Sequence, residues 1–172
     1  MAFKPAETFQ GLVDFTNIDA SAARVLAIGL IVRGVDSAST KTAGEFIYLP
    51  GVASLAVGSL VVYNPLAPSV TLAPHTANLN EPLAVSMTAN TATTSYSWFQ
   101  ISGVAKIAKT ATKINPGPVA LYLSGTAGSV SSTASAGKQV VNCTAANAAT
   151  VLSATGTITA LINRPFAQGA IT

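Results

Sequence analysis

Three features of the 172-residue sequence predict an all-β fold, a small antiparallel sandwich or barrel of jelly-roll or β-tulip-like type with an extended N-terminal arm. Apolar and polar residues alternate from Ser95 to Ile101, which is the period-two pattern of a strand. Turn signals rich in Pro, Gly and Asn separate short apolar runs. After Ser124, glycines divide a Ser/Thr-rich segment into four β-branched runs at the spacing typical of a sandwich or barrel.

The length of the chain suits one domain that is large enough to bury a core. We expect residues 1–33 to form an N-terminal arm and a leading strand, residues 34–165 to form the β-domain, and residues 166–172 to form a surface tail. The leading strand is predicted from Arg24 to Arg33, because this run is rich in β-branched residues and is broken by Gly29.

The arm is expected to bind a partner. It carries several of the few charges of the chain among spaced apolar residues that have no obvious internal core. A terminal segment of this kind is ordered when it docks onto something. The arm side chains expected to contact a partner are Phe3, Phe9, Leu12, Phe15 and Ile18.

The first half of the β-domain begins with a polar loop, Gly34 to Gly44. Pro-Gly and Asn-Pro pairs then punctuate short apolar runs, which is typical of strands joined by turns. The strands predicted here are Glu45 to Leu49, a strand or hairpin from Val52 to Tyr63, Val70 to Leu72, and Pro82 to Met87.

A central hairpin is predicted from Thr94 to Ser124, with its turn at Asn115 to Pro118 and its second strand at Val119 to Leu123. Gly103 marks a bulge or a close backbone approach within the first strand, which resumes from Val104 to Ala108.

The alternation in the first strand of this hairpin places Tyr96 and Trp98 on one face and Phe99 on the other. We expect these three aromatic residues to be anchors of the core or of a subunit interface, with the indole N–H of Trp98 paired to an acceptor.

The segment after Ser124 is almost free of charged residues. Its β-branched content and the alternation in its last part indicate order. The four strands predicted in it are Ser129 to Thr133, Gln139 to Thr144, Thr150 to Ala154, and Thr157 to Asn163.

The composition predicts a surface that neighbours cover. Hydrophobic residues make up 49% of the chain and charged residues only 9%, well below the roughly 25% of an ordinary soluble domain. The longest apolar run, Val25 to Val32, is far shorter than the roughly 20 residues of a spanning helix, so we expect no membrane partner. No secretory signal is visible, which predicts synthesis in a cytoplasm.

The sequence offers no catalytic or metal-binding pattern. His75 is the only histidine, and we interpret it as an exposed or structural loop residue. Cys143 is the only cysteine and is expected to be a buried free thiol. No nucleophile elbow, phosphate-binding loop or carboxylate pair is evident. We therefore expect no enzyme, no cofactor and no metal.

One local basic cluster, Lys106, Lys109 and Lys113, follows the aromatic residues of the central hairpin. Single-strand nucleic-acid binders combine such lysines with aromatic stacking platforms. Because Lys106 and Lys109 fall on opposite faces of a strand, we expect no nucleic-acid partner.

The segment Tyr96 to Lys106 resembles tailed-bacteriophage capsid decoration proteins, also called cement or head-stabilising proteins. The resemblance lies in the aromatic-Gln-x-x-Gly-x-Ala pattern, the following Pro/Gly turn, Leu121-Tyr122-Leu123, and the Gly125 to Gly128 run. It spans roughly Gly51 to Asn163, leaves the arm uncovered, and transfers no individual functional residue.

The resemblance implies a virion structural protein made in the host cytoplasm and located on the capsid exterior. Proteins of this family bind the outside of the expanded head, commonly as trimers between capsomers, and resist the internal DNA pressure. The implied partners are the major capsid protein and the chain itself, as a homotrimer.

Two alternative functions remain open from the residues alone. In a receptor- or carbohydrate-binding module of a fibre or spike, an exposed sugar platform would be formed by Trp98, Tyr96, Tyr122 and Tyr63. A tail-tube subunit would instead assemble into rings or tubes. Exposure of Trp98 is the feature that favours the sugar-binding alternative.

Overall fold

Eleven strands run through the described part of the chain, which in this computed structural model comprises residues 3–5, 15–16, 18–20, 26–36, 43–64, 66, 69–90 and 92–170. No helix occurs among these residues, so the fold is all-β as predicted. The strands are β1 (Phe3–Pro5), β2 (Ile31–Asp36), β3 (Ala43–Pro50), β4 (Leu60–Tyr63), β5 (Val70–Leu72), β6 (Leu83–Ser86), β7 (Tyr96–Lys109), β8 (Val119–Leu123), β9 (Val130–Ser131), β10 (Gln139–Ala145) and β11 (Gly156–Ala167).

The strands form one sheet in the order β1-β2-β3-β7-β11-β10-β8-β9, with antiparallel neighbours throughout this path. β9 returns to β7 through a parallel pairing of Lys109 with Val130, so that β7, β11, β10, β8 and β9 form a closed ring. β6 pairs with the first half of β7, and β4 joins β5 to β6.

β7 passes through all three apolar clusters of the core. Ala105 and Ile107 belong to the largest cluster, which lies among the ring strands together with β4 and β6. Phe99 lies in a second cluster with residues of β3, β4 and β6. Trp98 points to the opposite face, into a third and mainly aromatic cluster. The predicted alternation of faces is confirmed, and both faces of this half of β7 are buried.

The predicted central hairpin is wrong, because β7 and β8 do not pair with each other. β8 pairs with β10 and β9, whereas β7 pairs with β3, β6, β11 and β9. Hairpin loops usually have two to five residues. The connection here, residues 110–118, bonds elsewhere: Ile114 bridges Val151, and the Gly117 N–H donates to the Asn147 carbonyl. These bonds carry the chain away from β7 before β8 begins.

The leading strand starts later than predicted. Residues 26–30 form a turn in which Gly29 has a φ of +83° and its N–H donates to the Tyr48 carbonyl. β2 therefore begins at Ile31 and runs to Asp36, into the predicted polar loop, while residues 21–25 lie outside the described part.

Two other predicted strands are shorter, and the last strand is longer. The run from Val52 forms turns until β4 begins at Leu60, and the run from Thr150 contributes a single bridge at Val151. β11 continues to Ala167, beyond the predicted start of the tail. Its end is held by a bridge from Pro82 to Phe166 and by the Ala167 N–H, which donates to the Glu81 carbonyl.

The remaining strand predictions agree with the structure within a few residues, and β5 and β8 have the predicted bounds. The close approach predicted at Gly103 is also confirmed. Gly103 has a φ of +99°, and a Cβ at this position would collide with the carbonyl oxygen of Ala43 on β3. Within the described part of the chain, no helix is long and apolar enough to cross a membrane.

Candidate functional site

An aromatic cluster covers the face of β3 and β7 from which Trp98 projects. The rings of Phe15 and Phe46 stack with centroids 4.2 Å apart, and Phe15 meets Trp98 edge-on at 5.3 Å. Tyr48 lies 5.3 Å from Trp98 and 5.8 Å from Tyr96. Stacked and edge-to-face pairs at such distances stabilise beyond the area they bury. Trp98 is only 4% exposed, so it is buried in the core of its own chain.

The third predicted anchor, Phe99, lies on the other side of β7. It is fully buried in the second apolar cluster, where it packs with residues such as Ile47 and Val61. The three aromatic residues singled out from the sequence are therefore all buried or half-buried, on two separate faces of one strand.

Part of the arm is fixed to this aromatic face. Asp19 and Tyr96 exchange two backbone hydrogen bonds of 2.8 and 2.7 Å, and the Tyr48 hydroxyl donates to the Asp19 carboxylate. Phe15 is fully buried between Phe46 and Trp98. The expectation that the arm residues lack an internal core is therefore wrong for Phe15, because its ring completes the core of its own chain.

The other predicted arm contacts have different positions. Ile18 is 36% exposed and contributes to the wall of a cleft described below. The backbone of Phe3 lies in β1 and pairs with Asp36. Phe9 and Leu12 lie outside the described residues. Of the five predicted contacts, Ile18 is the one whose side chain the structure places at an accessible surface.

A cleft of about 370 Å³ opens beside the arm. Ile18, Val57, Met87 and Val104 supply apolar wall, and Lys106 stands among the lining residues. The other lining residues are Thr16, Ser86, Thr88, Ala89 and Gln100. The Gln100 amide is buried in this wall and donates to the carbonyls of Ser102 and Val104, so it fixes the backbone there. No local sequence pattern signalled this cleft, because its walls come from separate segments.

An open sheet face continues from the cleft across β7, β11 and β10. Cross-strand pairs place Leu161 between Val104 and Thr144, and Lys106 beside Thr159. Leu161 is 54% exposed. We use the name open face for the outward side chains of Val104, Lys106, Ala108, Thr144, Thr157, Thr159 and Leu161. Its single charge is that of Lys106.

An ion-pair cluster borders the open face. Glu45 accepts from Arg164 at 3.1 Å and lies 3.5 Å from Arg33. Glu45 pairs across the ladder with Ser102, which in turn faces Asn163 on β11. Both arginines are largely exposed, so each pair contributes little to stability, about 0–1 kcal/mol.

The three lysines of the predicted basic cluster do not act together. The Lys106 ammonium is exposed and donates to Thr159 Oγ1 at 2.7 Å. Lys109 is buried, and its ammonium donates to three backbone carbonyls. The predicted separation of Lys106 and Lys109 onto opposite faces is confirmed, and Lys113 is exposed in the loop beyond β7.

The single histidine of the chain is exposed, whereas the single cysteine is buried. His75 is exposed, with Nε2 2.9 Å from the Lys138 ammonium. Cys143 is a buried free thiol, as predicted, and burial raises its pKa to about 12. The described residues include no group of three or more His, Cys, Asp or Glu that could hold a metal ion.

The sugar platform that the receptor-binding alternative requires does not form around Trp98, because Trp98 is buried. Tyr96 packs against the aromatic cluster, whereas Tyr63 packs against the second apolar cluster. Burial raises the pKa of Tyr63, and the charge of Arg164 opposes this with a smaller effect. These tyrosines therefore belong to different parts of the core and do not share one exposed surface with Trp98. No protein-family model matches the chain, and no curated protein matches it either.

Proposed function

We propose that this chain is a structural protein of a tailed-bacteriophage virion, which binds the outer surface of the head and stabilises the shell as a decoration protein. Its partners are the major capsid protein and further copies of the chain, assembled as a homotrimer. The proposal assigns no catalysis, cofactor, nucleic acid or membrane to the chain.

The observation that carries the proposal is the open face. A weakly charged sheet surface with an exposed leucine at its centre gains free energy when a partner covers it, because apolar area leaves water. The surrounding threonine hydroxyls can pair with a partner backbone without the desolvation cost of charged groups. A chain with only 9% charged residues is suited to such contacts.

A shell presents the same binding site many times, so contacts of small area can together hold a bound protein. Each copy needs to bury only a limited area if many copies bind a lattice of identical sites, because avidity adds to the affinity of a single contact. The open face and the cleft share Val104 and Lys106, so one partner surface can cover both.

The proposal is tested by mixing the purified chain with heads of its phage that lack it, and then sedimenting the heads. We expect a discrete oligomer by size-exclusion chromatography with light scattering, and co-sedimentation at a fixed ratio to the major capsid protein. Heads with bound chain should also withstand heating or chelation better than bare heads.

A chain that stays in the supernatant at every concentration would contradict the proposal. In that case rings or tubes in electron micrographs would support the tail-tube alternative, and binding to a glycan array would support the receptor-binding one.

A further inference from the structure

The cleft beside the arm combines an apolar wall with an ammonium group that has no carboxylate partner among the residues that the structure describes. Ile18, Val57, Met87 and Val104 supply the apolar wall. Val57 is 55% exposed, so the apolar surface continues to the mouth. Among the described residues, the ion pairs join Arg33 and Arg164 to Glu45, and none involves Lys106. The hydroxyl of Thr159 is the hydrogen-bond acceptor of Lys106.

A buried hydroxyl group belongs to a residue of the same wall. Thr88 is 96% buried by residue, since 4% of it is exposed, and its hydroxyl oxygen has no hydrogen-bond partner. A buried hydroxyl without a partner is destabilising, because it has lost its hydrogen bonds to water. Native structures retain few such groups. Solvent does not reach the Thr88 hydroxyl oxygen in the free chain, so a ligand would pair with it only by displacing this part of the wall.

We propose that this cleft binds a polypeptide segment of the shell protein that presents an aliphatic side chain next to a carboxylate. That the segment comes from the shell protein rests on the proposed function. The side chains that it presents follow from the apolar wall and the ammonium group of the cleft. The aliphatic side chain fills the space between Ile18, Val57 and Val104, and the carboxylate pairs with the Lys106 ammonium.

The charges of the chain favour a foreign segment over a second copy. The two most exposed leucines, Leu66 and Leu152, have no acidic neighbour in sequence. Glu45 is already engaged by two arginines, and Asp19 accepts a hydrogen bond from Tyr48. Neither of these two carboxylates is therefore available to pair with Lys106 of a second copy.

The test uses the full chain labelled with ¹⁵N and the blocked tetrapeptide acetyl-Gly-Leu-Asp-Gly-amide. We expect saturable changes in amide chemical shifts around Val57, Thr88, Val104 and Lys106. The peptide with Asn in place of Asp should bind about two- to fivefold more weakly, which corresponds to an exposed ion pair. The peptide with Ala in place of Leu should lose most of the binding.

Two variants and a matched control sharpen the test. Lys106→Gln should remove the preference for Asp over Asn, whereas Lys113→Gln, another exposed lysine, should leave it intact. Val57 occupies an exposed loop position, so Val57→Glu should not unfold the chain. The added carboxylate should weaken binding of the Asp peptide by electrostatic repulsion. Unchanged peptide preference in Lys106→Gln would overturn the proposal.

Other outcomes separate this proposal from the proposed function. Shift changes elsewhere, or none at all, would overturn the cleft as the binding site even if the chain co-sediments with heads. Without peptide, the amide shifts at the cleft could instead depend on the concentration of the chain, and added peptide could reverse them. This result would identify a second copy as the occupant and overturn the foreign segment. Peptide binding without co-sedimentation would overturn the shell protein as its source.

Discussion

The ammonium group of Lys109 donates a hydrogen bond of 2.5 Å to the carbonyl oxygen of Ala154, which joins the end of β7 to the loop before β11. The same ammonium donates to the carbonyls of Thr110 and Thr112 at 2.9 and 2.8 Å. An ammonium has three donors, and all three are used here. A buried cation without a carboxylate is tolerated at this position because three carbonyl dipoles solvate it.

Lys109→Met should destabilise the chain by about 2–4 kcal/mol, because it leaves carbonyls of two loops without their donor. The free energy of unfolding from urea titration measures the effect. Lys113→Met, at an exposed position in the same loop, should change stability by no more than about 0.5 kcal/mol. Equal effects of the two substitutions would contradict a structural role for the Lys109 ammonium.

Phe15→Ala should destabilise the chain by about 3–5 kcal/mol, the usual cost of truncating a buried phenylalanine. The loss of the ring also opens the aromatic cluster around Trp98, so tryptophan fluorescence should shift to the red and become accessible to iodide. The wild-type chain should show a blue-shifted emission that iodide hardly quenches. For the same reason, an arm deletion that tests head binding should end before Phe15.

Gly103→Ala should destabilise the chain by more than the roughly 1–2 kcal/mol that positive φ costs a non-glycine residue. The added Cβ also collides with the Ala43 carbonyl oxygen on β3. Gly29→Ala is the matched control, because Gly29 has a similar φ of +83° but no heavy atom within 4 Å of the added Cβ. Thermal unfolding of the two variants should separate the backbone cost from the steric one.

Burial of the Cys143 thiol should make the free energy of unfolding decrease at alkaline pH. Its pKa is about 12 in the folded chain against 9.0 for an unperturbed thiol, so the unfolded chain loses its proton first. The contribution of this thiol to the free energy of unfolding is fully present below pH 9. It decreases between pH 9 and 12, by at most about 1.4 kcal/mol per pH unit. Cys143→Val should lose this dependence. The native thiol should also resist a disulfide reagent at pH 8 until urea is added.

Leu161→Glu should abolish head binding while changing the free energy of unfolding by less than about 0.5 kcal/mol, because the side chain is exposed in the free chain. Leu152→Glu is the control, since Leu152 is 73% exposed but lies in the loop before β11 and is not one of the residues of the open face. If both variants bind heads as the wild type does, the open face is not the contact surface.

The features that the sequence predicted well are those set by neighbours along the chain. The faces of Trp98 and Phe99 follow from the alternation of a single strand, and the burial of Cys143 follows from its place in an apolar run. The close approach at Gly103 follows from a glycine that interrupts such a run.

The features that were missed depend on contacts between distant segments. The pairing of β7 with β11 instead of β8 is decided by where the connection after β7 finds its hydrogen bonds. The burial of Phe15 depends on Phe46 and Trp98, which lie on two other elements. The cleft could not be predicted for the same reason, because the arm, the loop at Val57 and β7 meet only in the folded chain.

β7 belongs at once to the closed ring and to the sheet of β1, β2 and β3. Because this one strand contributes side chains to all three apolar clusters, neither half of the molecule can lose its order without exposing the core of the other. We therefore expect the described strands to unfold as a single cooperative unit. A force applied to the outer strands is transmitted through the backbone of β7 to the ring, so the molecule resists tension as one body.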